Sequence, residues 1–439
     1  MTASEPQVRT SFRFRGRLDA LQPDERRELF DRSSSPDPEI IIAVSEIIRR
    51  VREEGDDALL EYATRFDCVN LSRLELPRSV IDAARGTIGS QLEASILRAA
   101  HNIDRVHRAF APCITQIESE PGVTVMRRPD PLDAVGIYAP GGKAAYASSV
   151  LMAAVPARVA GVREIVLCSP PQSDGLPSRE VLAAASIAGV DRVFAIGGAG
   201  AIAAMAFGTG SVPRTNKIVG PGNAFVAEAK LQCSREVPID CPAGPSELVI
   251  IADSSASPDV IAREVMAQAE HDVRAIVIVI AIGDDVALKI ECAIESRTRS
   301  EPRREVIDEA LANRGRVLVA DSIDEAVRAS NAFAPEHLLI ATRNAESIVD
   351  MVRSAGTVFV GETSSVAFGD YMTGANHVLP TGGMAQSYSG LSTLDFVRWT
   401  TIQRITVDAA ARLALDTARF ADAEGLSAHA SAARSWGAQ

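Results

Sequence analysis

The 439-residue sequence contains no apolar run long enough to cross a bilayer, and no membrane partner is expected. The longest candidate, AIVIVIAIG at Ala275 to Gly283, is short and β-branched, which suits a buried strand. Cysteine is sparse and scattered: Cys68, Cys113, Cys168, Cys233, Cys241 and Cys292 make no CxxC pair, so neither a zinc ribbon nor a redox centre is expected. That usage fits a reducing cytoplasm. A positive balance is also missing. With 57 acidic and 45 basic residues the net charge is −12, which repels phosphate backbones, and no nucleic-acid partner is expected. The one Arg-rich stretch, Arg9 to Arg32, alternates with Asp and Glu and reads as a solvated, partly helical arm. The opening residues lack the apolar core of a secretory signal. Histidine is scarce too, six in all, yet His271, His337, His377 and His429 all fall in polar motifs of the second half.

What is present describes a large globular chain. A hydrophobic content of 46% with 23% charge supports a sizeable core, and the length implies two or more domains. From Asp37 to Phe66 apolar residues recur at three and four, with Asp37 as a cap, Pro38 at the first helical position and a break at Gly55. Ser90 to Phe110 is a second helical block, whose His101 and His107 read as surface residues.

After Pro121 the pattern changes to short runs ending in glycine or proline: AVGIYAPGG, EIVLCSPP, RVFAIGG and NKIVGPGN. A second series follows in ELVIIAD, RAIVIVIAIG, RVLVADS, HLLIAT and TVFVGE. Strands separated by helical stretches imply βαβ units, hence an α/β fold with two parallel sheets in succession. Ligands are then expected at the carboxyl ends of the strands.

Several tips carry chemistry. Gly198, Gly200 and Ala203 spell GxGxxA between a strand and a helix, but no acidic residue follows before Ala227 to hold a ribose hydroxyl. GPGN at Gly220 to Asn223 offers backbone amides at a helix start, suited to phosphate or a nucleotide edge. In MAQAEH, a helical reading puts Gln268 and His271 on one face, a two-ligand geometry for zinc in which Gln would be a weak neutral donor. NAFAPEHL sets Glu336 beside His337 before a strand, with Pro335 biasing Ala334 towards extended backbone. Asp370 lies in GDY, His377 in TGANHVLPTGG, and Glu424 and His429 in AEGLSAH, beyond a run, TIQRITVDAAARLALDTARFADA, that reads as helical.

Taken in order, GDDALLEY, IYAPGGKAAYASSVLMAAVPARVAG, GGAGAIAAMAFGT, IVGPGNAFVAEAK, IDCPAGPSELVIIAD, AQAEH, APEHL, GDYMTGANHVLPT and EGLSAH resemble the histidinol dehydrogenase family over nearly the whole chain. The resemblance implies a four-electron oxidation of L-histidinol to L-histidine with two molecules of NAD, the last step of histidine biosynthesis. It also implies one zinc per subunit held by Gln268, His271, Asp370 and His429. Substrate contacts would come from Ser246, His337, His377 and Glu424 beside those zinc ligands, catalysis from Glu336 and His337, and NAD contacts from Tyr138 and Asn223. In that reaction His337, with an ordinary pKa near neutrality, suits repeated proton transfers and Glu336 can activate water. A cysteine nucleophile is not needed. Gly200 departs from the family's usual Gln, a residue that contacts NAD.

The organisation expected on this basis is two Rossmann-like parallel-sheet domains with a helical N-terminal region and a small helical C-terminal domain. Residues 1–33 form the arm, 34–137 with 246–384 the main domain bearing the catalytic and zinc residues, 138–245 the NAD-binding domain, and 385–439 a helical tail. The tail is expected to cross to the partner in a homodimer with shared sites. Two other readings are a relative acting on another polar alcohol such as a sulfonated diol, and a zinc-stabilised binding protein without turnover. Glu424, suited to a substrate ammonium, favours histidinol over the first, and the Glu336–His337 pair argues against the second.

Overall fold

The computed structural model describes residues 12–30, 32, 37–141, 146–241 and 244–437. Residues 1–11 of the expected arm lie outside this description. Thirteen strands are formed by the described residues: β1 (Phe14–Arg17), β2 (Thr115–Glu120), β3 (Val123–Pro131), β4 (Ala134–Tyr138), β5 (Glu164–Ser169), β6 (Arg192–Ala195), β7 (Lys217–Val219), β8 (Glu247–Ala252), β9 (Ile276–Ile282), β10 (Gly315–Ala320), β11 (His337–Ala341), β12 (Thr357–Val360) and β13 (Val397–Ile405). They assemble into a four-stranded sheet ordered β6-β5-β4-β7, a six-stranded sheet ordered β1-β10-β9-β8-β11-β12, and a three-stranded sheet ordered β13-β3-β2.

The first two sheets are parallel throughout, as the α/β expectation requires. Their inner strands are largely apolar runs because helices cover both faces. Every residue of β8 is buried, as is every residue of β9 except Ile282. Burying a Val or Ile side chain contributes roughly 1.5–3 kcal/mol, so these two strands anchor the larger sheet. Helices between strands are alanine-rich where space is tight. In Ala147–Ala160 nine consecutive residues, Ser149 to Ala157, are buried.

The N-terminal helices form as their signals indicate. Asp37 accepts the Glu39 N–H at 2.9 Å, Pro38 opens the helix Pro38–Glu54, and Gly55 at φ +59° breaks it from Asp56–Phe66. Their packing differs from the expected grouping with 246–384. Val44, Ile48, Val51 and Leu59 share a core with Phe194, Ile202 and Met205 of the four-stranded half. The cause is the helix Gly198–Phe207, apolar on nearly every side, which needs a cover on its outer face as well as on the sheet. The boundary expected at 137/138 also cuts through β4, which begins at Ala134.

Four further readings are corrected. The arm is not wholly solvated, since Phe14–Arg17 pairs in parallel with β10 as the edge of the six-stranded sheet. TIQRIT is not helical: Thr401, Ile402 and Ile405 lie in β13, antiparallel to β3, and the helix Val407–Ala423 starts only after Thr406 caps it. β-branched residues prefer the extended chain, and pairing with β3 settles the choice. His107 is buried at 5% exposure on the inner face of Ser90–Ala109, whereas His101 is exposed as read. Ala334 is left-handed (φ 52°, ψ 68°) rather than extended, because it ends the helix Ile323–Phe333 by giving its N–H to Ser330. Among the described residues no helix is long and apolar enough to cross a membrane.

Candidate active site

The two parallel sheets meet at opposite ends. The four-stranded sheet offers its carboxyl ends: Tyr138 closes β4, Gly197 and Gly198 follow β6, and Gly220 to Asn223 follow β7. The six-stranded sheet offers its amino ends, with Ser246 just before β8, Gln268 and His271 before β9, and Glu336 and His337 at the start of β11. The candidate residues thus lie at carboxyl ends of strands in the first series, and at amino ends in the second, where carboxyl ends were expected.

Two adjoining cavities lie there. The smaller, about 160 Å³, is lined by Ser246, Gln268, His271, Glu336, His337, Asp370 and His377. The larger, about 920 Å³, is bounded by Tyr138, Gly197 to Gly200, Asn223 and the face of the helix Asp56–Phe66. His271 and Tyr146 line both.

In the smaller cavity Glu336 and His337 are only 6% and 5% exposed, and one residue, Glu247, fixes both. Its N–H donates to Glu336 Oε2 at 2.8 Å, and its carbonyl accepts from His337 Nδ1 at 3.1 Å. A carbonyl only accepts, so Nδ1 carries the proton and Nε2 keeps a lone pair. Nε2 is buried without a hydrogen-bond partner and lies 3.8 Å from Asp370 Oδ1. Burial pulls the His337 imidazole down to about 4, against the ordinary value assumed from the sequence, so the resting ring is neutral. Burial pushes Glu336 well above the usual carboxylate range, partly opposed by the Glu247 N–H.

His377 is oriented by the same logic. Its Nδ1 donates to the Asp370 carbonyl at 2.8 Å, leaving Nε2 to accept from Ser149 Oγ at 3.4 Å. Gln268 sits in the last turn of the helix Pro258–Ala269, whereas His271 lies past its C-cap, Glu270, so the pair is not held by one continuous helical face. Gln268 Nε2 is buried without a partner. Burial raises Asp370 to about 6, with Glu264 adding to the shift, and burial lowers His271. A neutral imidazole, a carboxylate short of positive charge and an orphaned amide form a nitrogen and oxygen donor set that suits a divalent cation such as zinc. The set is incomplete within one chain: among the described residues no three His, Cys, Asp or Glu side chains are drawn together to hold a metal. His429 and Glu424 are exposed on the terminal helical unit and line neither cavity. Cys241 lines the smaller cavity, and burial pushes its thiol up to about 12, which keeps it from acting as a thiolate.

In the larger cavity the Tyr138 hydroxyl accepts the Gly198 N–H at 3.1 Å. Asn223 Oδ1 caps the helix Ala224–Cys233 by accepting from Phe225 and Val226, which leaves its amide N–H groups free. Gly200 is buried, and a Cβ there would stand 3.2 Å from Leu59. Sequence reasoning missed Ser149, Tyr146 and Glu247. Only Glu247, a carboxylate opening an apolar strand, left a signal that could have been followed.

The family profile described as histidinol dehydrogenase matches residues 30–435. A histidinol dehydrogenase of Methanothermobacter thermautotrophicus is 44% identical over 407 residues, spanning 93% of this chain and 96% of that protein. One of Salmonella typhimurium is 41% identical over 417 residues, spanning 94% and 95%. The crystal structure of histidinol dehydrogenase from Elizabethkingia anophelis superposes with a TM-score of 0.92 at 34% identity, covering 97% of this chain and 98% of that one.

Proposed function

This chain belongs to the histidinol dehydrogenase family, and from that premise we propose that it oxidises L-histidinol to L-histidine through histidinal, with zinc and two molecules of NAD, as the last step of histidine biosynthesis. The observation that carries the reading is the Glu336–His337 pair. Both side chains are buried, both are fixed by the backbone of Glu247, and both open on a small polar cavity that adjoins a glycine-lined cleft.

The first oxidation requires loss of a hydroxyl proton and a hydride. His337 Nε2, free of any hydrogen bond, takes the proton. The second requires water to add to the aldehyde: His337 returns its proton to the carbonyl oxygen, which frees Nε2 again, while Glu336 accepts the proton that this water releases. The Glu247 N–H donated to Glu336 Oε2 opposes the effect of burial and favours the carboxylate form that accepts. His337 then takes the hydroxyl proton of the hydrated aldehyde as the second hydride leaves. Two oxidations thus reuse one pair of residues.

Gln268, His271 and Asp370 would hold the zinc, with His429 of a second copy completing the set. Tyr138 and Asn223 would hold NAD in the larger cavity. Zinc would supply a cationic seat for the imidazole and amine of the substrate, and NAD the two hydride acceptances. Ser246 and His377 line the same chamber and orient the substrate, and the second copy's Glu424 pairs with its ammonium. This sharing makes the protein a homodimer. L-Histidinol supplied to the purified protein with NAD and zinc should give two NADH per L-histidine. A sulfonated diol in the same assay tests the neighbouring substrate class, and no NADH from L-histidinol would overturn the reading.

A further inference from the structure

Behind the catalytic pair lies a buried ion pair with no part in the chemistry above. Arg32 and Glu247 meet at 2.6 Å, with side chains 4% and 1% exposed. Glu247 is the residue whose two backbone groups hold Glu336 and His337. Its carboxylate also accepts the Gly382 N–H at 2.9 Å, which ties in the pocket wall that follows His377. Arg32 reaches in the other direction. Its guanidinium covers the Phe333 ring at 3.5 Å from the centroid and donates to the Phe333 carbonyl. Phe333 ends the helix that leads through left-handed Ala334 and Pro335 into Glu336 and His337.

We propose that Arg32 and Glu247 are positioning residues that set the tautomer and aim of His337 and hold Glu336 away from it. The inference rests on the reaction assigned to this site. Glu336 Oε2 is only 3.6 Å from His337 Nδ1. Were Glu247 to move, that carboxylate would take the Nδ1 proton in place of the Glu247 carbonyl, and Glu336 would be spent on the imidazole instead of on water. The backbone groups of Glu247 cannot be removed by substitution; β8 pairs with β9 and β11 from this residue on, and the side-chain anchor adds the restraint at the strand's first residue that a substitution can remove. A planar, forked guanidinium suits this place because it sets one nitrogen against a carboxylate as an ion pair and gives another to a carbonyl while stacking on a ring.

The test uses full-length protein labelled with 15N-histidine, in which His337 is assigned by loss of its signals in His337→Asn. The unaltered protein should show His337 as the Nδ1–H tautomer. In Arg32→Ala that signature should broaden or change, turnover of L-histidinol should fall roughly 10–100-fold with KM within about two-fold, and millimolar guanidinium should restore both. Should Arg32→Ala fail to fold, the double variant Arg32→Met with Glu247→Gln removes the charges together and should show the same altered signature. A folded variant with the original tautomer and turnover within about two-fold of the parent overturns the proposal. A parent inactive on L-histidinol whose His337 signature still depends on Arg32 would overturn the substrate assignment and support the positioning role.

Discussion

A Cβ atom on Gly220 would stand 2.1 Å from the carbonyl oxygen of Tyr138, and Gly220 itself adopts φ +118°. The loop is clamped where it passes: its Gly220 N–H donates to Asp240 at 2.8 Å and its carbonyl accepts from Lys230 at 2.9 Å. No side chain fits without moving β4 or β7. Gly220→Ala should therefore lower unfolding free energy by about 2–3 kcal/mol, read by urea denaturation. A change under half a kcal/mol would show that the loop yields freely.

The two members of the catalytic pair should separate by half-reaction. His337→Asn would remove the proton acceptor proposed for both oxidations and should reduce each by several orders of magnitude. Glu336→Gln should leave alcohol oxidation within about ten-fold and impair the water-consuming step far more. Supplying histidinal directly distinguishes them, and a Glu336→Gln enzyme that oxidises histidinal normally removes the role assigned to Glu336.

Metal should be held for chemistry and not for folding. Neither His271 nor Asp370 belongs to the apolar cores flanking the six-stranded sheet. Elemental analysis should find one zinc per subunit in the parent and none in His271→Ala or Asp370→Ala, with circular dichroism unchanged. Unfolding on chelation would make the zinc structural instead.

His107 should make the protein acid-sensitive. It is buried, its Nε2 lacks a partner, and burial lowers its pKa below the ordinary 6.5. Below about pH 6.5 the unfolded chain binds the proton first, so stability is full above that value and declines as pH falls towards the folded pKa. Between pH 7.5 and 5, His107→Leu should lose less unfolding free energy than the parent. Equal losses would locate the acid sensitivity elsewhere.

A shared site can be tested by complementation. Co-expressed His337→Asn and His429→Ala subunits form heterodimers in which, if His429 crosses, one site carries both defects and the other neither. Activity should then return to roughly half that of the parent dimer. A purified heterodimer as inactive as its parents means that each subunit completes its own site.

Burial on both faces is what made the parallel strands legible. ELVIIA and IVIVIAI read as strands with no knowledge of their neighbours. β1 and β2 carry no such mark: FRGR is short and charged and exists through distant β10, and β2 is exposed along its whole length and exists through its hairpin with the adjacent β3. The site divides in the same way. Gln268, His271, Glu336, His337, Asp370 and His377 were recognisable in local motifs and Ser246 through the family resemblance, and all seven converge on one cavity. Arg32 was not, because nothing near it in the chain speaks of Glu247. The left-handed turn at Ala334 ran against the local rule for a residue before proline, since capping the preceding helix outweighed it.

The division between a large cleft and a small chamber bears on the order of traffic. A reaction that spends two oxidant molecules on one substrate must discharge the first before the second can enter, with a reactive aldehyde waiting meanwhile. Among the described residues the two spaces have Tyr146 and His271 in common, so in the proposed reaction a spent carrier in the cleft would leave without passing through the chamber that would hold the aldehyde. Exchange of the one and retention of the other would then be separate events, and what would otherwise be a leak of intermediate would become a pause.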